Sequence, residues 1–468
     1  MKRLNVLDTL FLRLERRNAP LHVGALSLFT PPADAPPDFG QQLAEQLRES
    51  TQAMPPFNRR LTSHLGLHFW EEDADFDMAH HFVHLSLPRP GRIRELLAMV
   101  SRVHSAHLDR AYPLWRTYLI EGLEDGRIAT YSKIHHALVD GVAGIRLLIK
   151  SMAPTPAESL RMPPPWEVRT RKSGAMGGLP VPIPTAGGLA AVQGLATEGV
   201  RKLPGFRSVL AQAWRDLRTH HPDLVHGLQA PRSILNQKIS GSRRFAAQSY
   251  STARIKAVAQ AFGSTSNDVV LAMCGGALRR YLLSLHELPN RPLVAAVPVS
   301  IRRDDGDMGN EVGFALTTLA TDLEDPAERL RVIISCMNYS KARLRQLTPP
   351  QMMAYAAVLL LPGAFNFVTG LGETTAANVV VSHVPGPRAP MYWQGCALSG
   401  IYPVSLVLDG LALNITLVSR QDYIDFGLIG CRKTLPSLQR LLDDLEDELA
   451  ALEASLNAAT GRRARSRR

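Results

Sequence analysis

The sequence predicts an α/β protein built as two domains. Short apolar, β-like runs alternate with segments of helical apolar spacing. At 468 residues the chain is too long for one ordinary core. A stretch rich in Pro, Gly and basic residues divides it near the middle. A composition 45% hydrophobic and 20% charged is that of a globular protein.

Residues 1–152 form the first domain. Its opening, MKRLNVLDTLFLRLERR, starts basic and turns apolar, but Asp8 and Glu15 interrupt it and no small-residue cleavage site follows. It therefore does not read as a signal peptide. Arg127–Ile134 carry Ile128, Tyr131 and Ile134 among small and polar residues, which suits a strand. After Gly141 the apolar Val142, Ile145, Leu148 and Ile149 recur at helical spacing.

Residues 153–239 begin with APTPAESLRMPPPWEVRTRKSGAMGG and read as a linker without a core of its own. An amphipathic stretch follows, VRKLPGFRSVLAQAWRDLRTHH, with Leu203, Phe206, Val209, Leu210, Trp214 and Leu217 among basic residues. Such a helix either packs on a domain or lies on lipid.

Residues 240–460 form the second domain. SNDVVLAMCGGALRRYLLS reads as a helix with Ser266 as its N-cap. RPLVAAVPVSIR, ANVVVSHVPG and LNITLVS read as strands. The uncharged stretch 351–372 is split by Pro362-Gly363, so it predicts a buried or interfacial helix in preference to a span. Leu438, Leu441, Leu445, Leu449, Leu452 and Leu456, spaced by three and four, predict a long acidic helix docked on the core. The basic tail 461–468, GRRARSRR, lacks the aromatic interleaving of a nucleic-acid binder.

The net charge of +11 favours an acidic partner: a nucleotide-bearing substrate, an anionic membrane surface or nucleic acid. The four cysteines, Cys274, Cys336, Cys396 and Cys431, show neither CxxC nor zinc spacing. They read as buried free thiols of a reducing compartment, which makes a cytoplasmic location the default.

The stretch YSKIHHALVDGVAG places His135 and His136 at a strand-to-helix corner, with Asp140-Gly141 just behind. Three readings compete there. His136 and Asp140, at i and i+4, could share a metal, but no HExxH pattern or cysteine cluster completes a site. The histidines could be a satisfied structural pair. Or a neutral imidazole could serve as a general base toward a hydroxyl. No GxSxG elbow and no cysteine nucleophile motif accompanies the corner. A base without a nucleophile suggests direct transfer, in which an activated hydroxyl attacks an acyl donor in one complex.

His135-His136-Ala137-Leu138-Val139-Asp140-Gly141 resembles the HHxxxDG signature of the coenzyme A-dependent acyltransferase superfamily. NAPLHVGAL at 18–26, PGRIRELL at 90–97, LDRAYPLW at 108–115, SRRFAAQSY at 242–250, SNDVVLA at 266–272 and YPVSLVLDGLALNIT at 402–416 resemble one branch. That branch is the bacterial wax ester synthase/diacylglycerol acyltransferases, and the similarity runs nearly end to end. The resemblance implies two chloramphenicol-acetyltransferase-like domains with the active site in a tunnel between them. It implies acyl-coenzyme A as the donor substrate, a long-chain alcohol or diacylglycerol as the acceptor, and neither metal nor separate cofactor. It makes His136 the proton acceptor, with His135 and Gly141 shaping the corner and Asp140 held structurally by Arg302. Asn267 is a candidate oxyanion donor. Where the family reads Asn-Val-Pro-Gly-Pro, this chain has His383-Val384-Pro385-Gly386-Pro387, which leaves any role of that amide to the His383 ring.

A protein of this kind is expected at the inner membrane face or on lipid inclusions, held peripherally and without nucleic acid. The alternatives are a non-catalytic lipid-inclusion or membrane-surface protein, and a condensation-type acyltransferase with another acceptor. The oligomeric state is left open.

Overall fold

The computed structural model describes residues 2–4, 6–50, 52–65, 67–168, 215, 218, 221–226, 228–301, 311–348, 351–352, 355 and 374–465. Its first half runs β1 (Lys2–Arg3), α1 (Val6–Leu14), β2 (His22–Thr30), α2 (Phe39–Arg48), β3 (Arg59–His64), β4 (Leu67–Glu72), α3 (Met78–His81) and β5 (Phe82–Ser86). It continues with α4 (Ile93–Ser105), β6 (Trp115–Glu121), β7 (Ile128–His135), α5 (Gly141–Lys150) and α6 (Pro156–Ser159). The second half runs β8 (Ala230–Pro231), β9 (Arg243–Ser251), α7 (Thr252–Ala261), α8 (Ser266–Ser284), β10 (Val294–Ile301), β11 (Glu311–Thr318), α9 (Pro326–Arg345) and β12 (Thr374–Thr375). β13 (Val379–Pro385), β14 (Tyr392–Trp393), β15 (Cys396–Val404), β16 (Leu413–Ser419), β17 (Tyr423–Cys431) and α10 (Arg440–Arg465) complete it.

Two six-stranded mixed sheets organise these elements, in the orders β14-β15-β2-β7-β6-β5 and β11-β10-β13-β16-β17-β9. The first sheet is thus not made by the first half of the chain alone. β15 crosses over from the second half and pairs antiparallel with β2, from Ala397↔Thr30 to Val404↔Gly24. Where the sheets meet, the carboxylate of Asp425 on β17 is fully buried and accepts from the Ile401 N–H on β15 at 2.8 Å. The Ser249 hydroxyl and the Arg420 guanidinium also donate to it, and Arg420 donates to the Ser399 carbonyl. A buried charge needs such partners, and these come from both sheets.

In the second sheet, β10 is a near-continuous apolar run and β16 is buried at every position but its last, as expected for strands covered on both faces. α8 packs behind them, its entry fixed by a reciprocal cap. Thr265 Oγ1 accepts from the Asp268 N–H while Asp268 Oδ2 accepts from the Thr265 N–H. The N-cap is therefore Thr265 and not Ser266, because only Thr265 has a carboxylate three residues on to complete the box. Leu438, Leu441, Leu445, Leu449 and Leu452 are all buried in the same core, so the acidic C-terminal helix docks as its leucine spacing predicts. The four cysteines are free and buried.

The Pro-rich stretch after 152 begins as packed structure. Trp166 is buried and stacks on Trp115 at 5.7 Å, which corrects the expectation of a coreless linker at that point. Residues 169–214 lie outside the described residues, as do most of 215–220 and of the apolar stretch 351–372. Among the described residues no helix is long and apolar enough to cross a membrane.

Candidate active site

β7 alternates its side chains across the first sheet. Tyr131, Lys133 and His135 are buried toward α4, where the Lys133 ammonium donates to the Val103 and Ala106 carbonyls. Ser132 and Ile134 face the other way, toward α5. The strand stops at His135. The Leu138 and Val139 N–H groups then turn back on the His135 carbonyl, and Asp140 caps α5 by accepting from the Ala143 N–H at 2.7 Å. The corner read from the sequence is formed by these short-range bonds.

His136 sits between strand and cap. Its backbone N–H donates to the Leu21 carbonyl at 2.9 Å, and its half-buried ring stacks on Phe11 of α1 at 4.3 Å. Burial pushes the imidazole below the usual histidine range; the Asp140 charge works against this and His135 works with it. The ring is therefore neutral at neutral pH, the state a proton acceptor needs. No hydrogen bond joins the Asp140 carboxylate to either histidine ring; it serves the helix cap.

His135 is buried and held from two sides. Its Nδ1 accepts from the Ala137 N–H at 3.1 Å, which places the ring proton on Nε2, 3.6 Å from Glu15 Oε1. Glu15 is the residue that sequence reasoning missed; there it appears only as a charge interrupting an apolar run. In the fold its carboxylate is almost wholly buried. It accepts from the Leu21 N–H at 3.2 Å and from Arg110 at 2.8 Å, with His107 Nδ1 at 3.5 Å. Burial alone would raise its pKa, but the nearby His135 ring and the bonds from Arg110 and Leu21 outweigh it and hold the carboxyl down at about 2. Leu21 thus links the two: its N–H is held by Glu15 and its carbonyl holds His136.

The structure brings His135, His136, Asp140 and Gly141 together at this corner. Arg302, the expected partner of Asp140, lies outside the described residues. Asn267 is half-buried in the first turn of α8, and His383 lies on β13 opposite Leu417. The His383 Nε2 is buried without a hydrogen-bond partner among the described residues, and burial lowers the ring's pKa. No hydrogen bond connects either residue to the corner. Among the described residues no cluster of His, Cys, Asp or Glu could hold a metal ion.

Comparison with known proteins bears on this geometry. The model of the wax ester synthase/diacylglycerol acyltransferase catalytic domain matches residues 4–270, and that of the corresponding C-terminal domain matches 308–453. The O-acyltransferase WSD of Acinetobacter baylyi is 45% identical over 97% of this chain and 97% of its own. The structure of a wax ester synthase/diacylglycerol acyltransferase from Marinobacter aquaeolei VT8 superposes with a TM-score of 0.80 at 44% identity, covering 98% of this chain and 100% of that one. The first condensation domain of the CDA synthetase shares the fold at 14% identity and a TM-score of 0.56, over 97% of this chain and 96% of its own.

Proposed function

Because the chain belongs to the wax ester synthase/diacylglycerol acyltransferase family, and is an O-acyltransferase, we propose that His136 is its general base. Acyl-coenzyme A is the donor, and a long-chain alcohol or a diacylglycerol is the acceptor. The observation that carries the assignment is the His136 ring itself: neutral through burial, stacked on Phe11 beside a backbone held by the Leu21 carbonyl, and free of a carboxylate hydrogen bond. A free imidazole nitrogen takes the hydroxyl proton as the acceptor oxygen attacks the thioester carbonyl. The tetrahedral oxyanion collapses, the C–S bond breaks, and the imidazolium returns the proton to the thiolate. Asn267 and His383 are the candidates for hydrogen-bond donation around the reacting carbonyl. Oxyanion donors contribute on the order of 3–4 kcal/mol in known cases.

Purified protein supplied with labelled palmitoyl-coenzyme A and either hexadecanol or a diacylglycerol tests the reading. Wild-type protein forms ester, and His136→Ala loses it while keeping its thermal transition. His135→Ala loses less, or loses stability. Equal rates in a folded His136→Ala protein and the wild type would remove the assignment.

The family's acceptors partition into lipid, and the chain carries +11. These two facts support peripheral attachment to an anionic membrane face or lipid inclusion, with the basic stretch 201–220 as the contact. That stretch lies outside the described residues except at Arg215 and Arg218.

A further inference from the structure

The back of β7 carries a buried positive charge. Lys133 is 2% exposed and stands two residues before His135 on the same face of the strand. Its ammonium donates to the Ala106 carbonyl at 2.7 Å and to the Val103 carbonyl at 3.0 Å, both at the C-terminal end of α4. A helix C-terminus attracts a cation, but no carboxylate lies at ion-pair distance from this one among the described residues. Burial brings the ammonium down to about 8; the Arg116 charge adds to this and the Glu15 charge opposes it, so the group is still charged at neutral pH. Fastening a helix end does not require a buried charge, since a neutral side-chain amide donates to carbonyls at a smaller desolvation cost.

Three buried imidazoles share this side of the sheet, and each is bonded as a neutral ring. His135 Nδ1 accepts from the Ala137 N–H, so a second ring proton would face that N–H and open the turn. His22 of β2 lies opposite His135 in register and donates through Nε2 to the His104 carbonyl at 2.7 Å. Its Nδ1 is buried without a partner among the described residues, so a proton there would find no acceptor. His104 of α4 donates through Nε2 to the Ser405 carbonyl at 3.1 Å and accepts at Nδ1 from the Tyr131 hydroxyl at 2.6 Å. Burial lowers the pKa of His22 and, to about 3, that of His104, and the Lys133 charge acts in the same direction on both. Arg243 of β9 adds a further positive charge beside His104. Glu15 of α1 works the other way. Its carboxylate stands 3.6 Å from His135 Nε2, and an ionised carboxylate favours positive charge beside it. Arg110 and His107, from the segment after α4, share that carboxylate, and His136 and Asp140 follow His135 in the turn.

We propose that Lys133 is a positioning residue for the acyl transfer: its ammonium keeps a second proton off the His135 ring and so preserves the turn that presents His136. The inference rests on the general-base role given to His136 above. Lys133 acts through His135, whose Nδ1 lone pair holds the Ala137 N–H, and through that bond on the backbone around His136. Without the cation, Glu15 faces His135 with less charge against it, and a proton taken up there breaks the bond that shapes the corner.

The full-length wild type, Lys133→Met, Lys133→Arg and the double variant Lys133→Met/Glu15→Gln are compared by kcat/KM against pH, with palmitoyl-coenzyme A and hexadecanol. In Lys133→Met the acid limb moves up by roughly one pH unit. Arginine keeps the limb at the wild-type position, and the double variant returns it there because the carboxylate that favours the extra proton is gone. A side chain that only fastens α4 would lower Tm and rate together at every pH and move no limb. An unshifted limb in folded Lys133→Met therefore overturns the proposal, as does a shift that survives Glu15→Gln. The double variant decides the matter should the arginine fail to fold, and Lys133→Gln, uncharged but still a donor, replaces a methionine variant that fails. Nitrogen-15 spectra of histidine-labelled protein read the ring without catalysis. Lys133→Met gains an imidazolium signal at a pH where the wild type and the double variant lack it, and absence of that gain overturns the proposal. A wild type that forms no ester overturns the general-base reading instead, while the spectra still decide the assignment of Lys133.

Discussion

Glu15 and His136 show how much of the corner depends on single side chains far apart in sequence. Glu15 is ionised well below the usual carboxylate range because it is paired in the fold. A depressed carboxyl pKa contributes stability above its unfolded value, and that contribution is lost as pH falls through the folded value. The window here runs from about pH 4.5 down to about 2, and a shift of that size corresponds to about 3 kcal/mol. Glu15→Gln should therefore flatten the acid-unfolding profile across this window, read by circular dichroism. It should also reduce kcat more than it raises KM, on the order of tenfold, because it loosens Leu21 and His135 and leaves the substrate sites intact. Glu15→Asp should recover part of kcat. The same logic gives a sign for His136. Its pKa is lowered, so the acid limb of kcat/KM should fall below the ordinary histidine value. Asp140→Asn, which removes the charge that raises it, should move the limb lower still.

At the scale of the element, α5 depends on its cap. Asp140→Ala removes the acceptor for the Ala143 N–H and should lower Tm by the equivalent of about 1 kcal/mol, with activity falling alongside. Asp140→Asn keeps a capping oxygen and should keep most of the stability. Equal loss in both variants would show that the charge matters more than the cap. The strand, turn and helix of this corner were legible because their causes are local: the end of β7, the cap and the helical spacing all fall within residues 128–150. Glu15 was not legible, because its side-chain partners Arg110, His107 and His135 lie far along the chain and no short pattern records that approach. The cap of α8 was misplaced by one residue for a simpler reason: Ser266 is a good cap type, but the deciding carboxylate is Asp268, three residues beyond Thr265.

For the whole molecule, the buried carboxylate of Asp425 ties the two sheets together. Asp425→Asn keeps the shape but weakens the hold on Arg420 and on the Ile401 N–H. Truncating a buried, hydrogen-bonded charge pair typically destabilises by about 3–5 kcal/mol, and the milder amide change should fall below that. Scanning calorimetry should show both sheets melting in one lowered transition; separate transitions would show that this junction does not couple them. The surface charge makes its own prediction. Binding to anionic vesicles should weaken as salt rises, since each basic residue near such a surface contributes on the order of 1 kcal/mol. Replacing Arg201, Lys202, Arg207 and Arg215 with Gln should weaken it further. Salt-independent binding that survives these substitutions would move the anchor to the apolar stretch 351–372. Two domains were legible from length and composition, but the passage of β15 into the first sheet was not, because a strand's own sequence does not name its partner.

That crossing has a consequence for how the protein is made. β2 is finished within the first thirty residues, yet the neighbour that covers one of its edges is not synthesised until residue 404. During translation the first sheet therefore stands with an open edge beside a strand containing Leu26, Leu28 and Phe29, and open apolar edges recruit other strands. A ribosome paused anywhere between these points holds a nascent chain that cannot close its own sheet. Attempts to produce the first half as a separate fragment should yield aggregates, and supplying residues 392–404 as a synthetic peptide during refolding should rescue part of the yield.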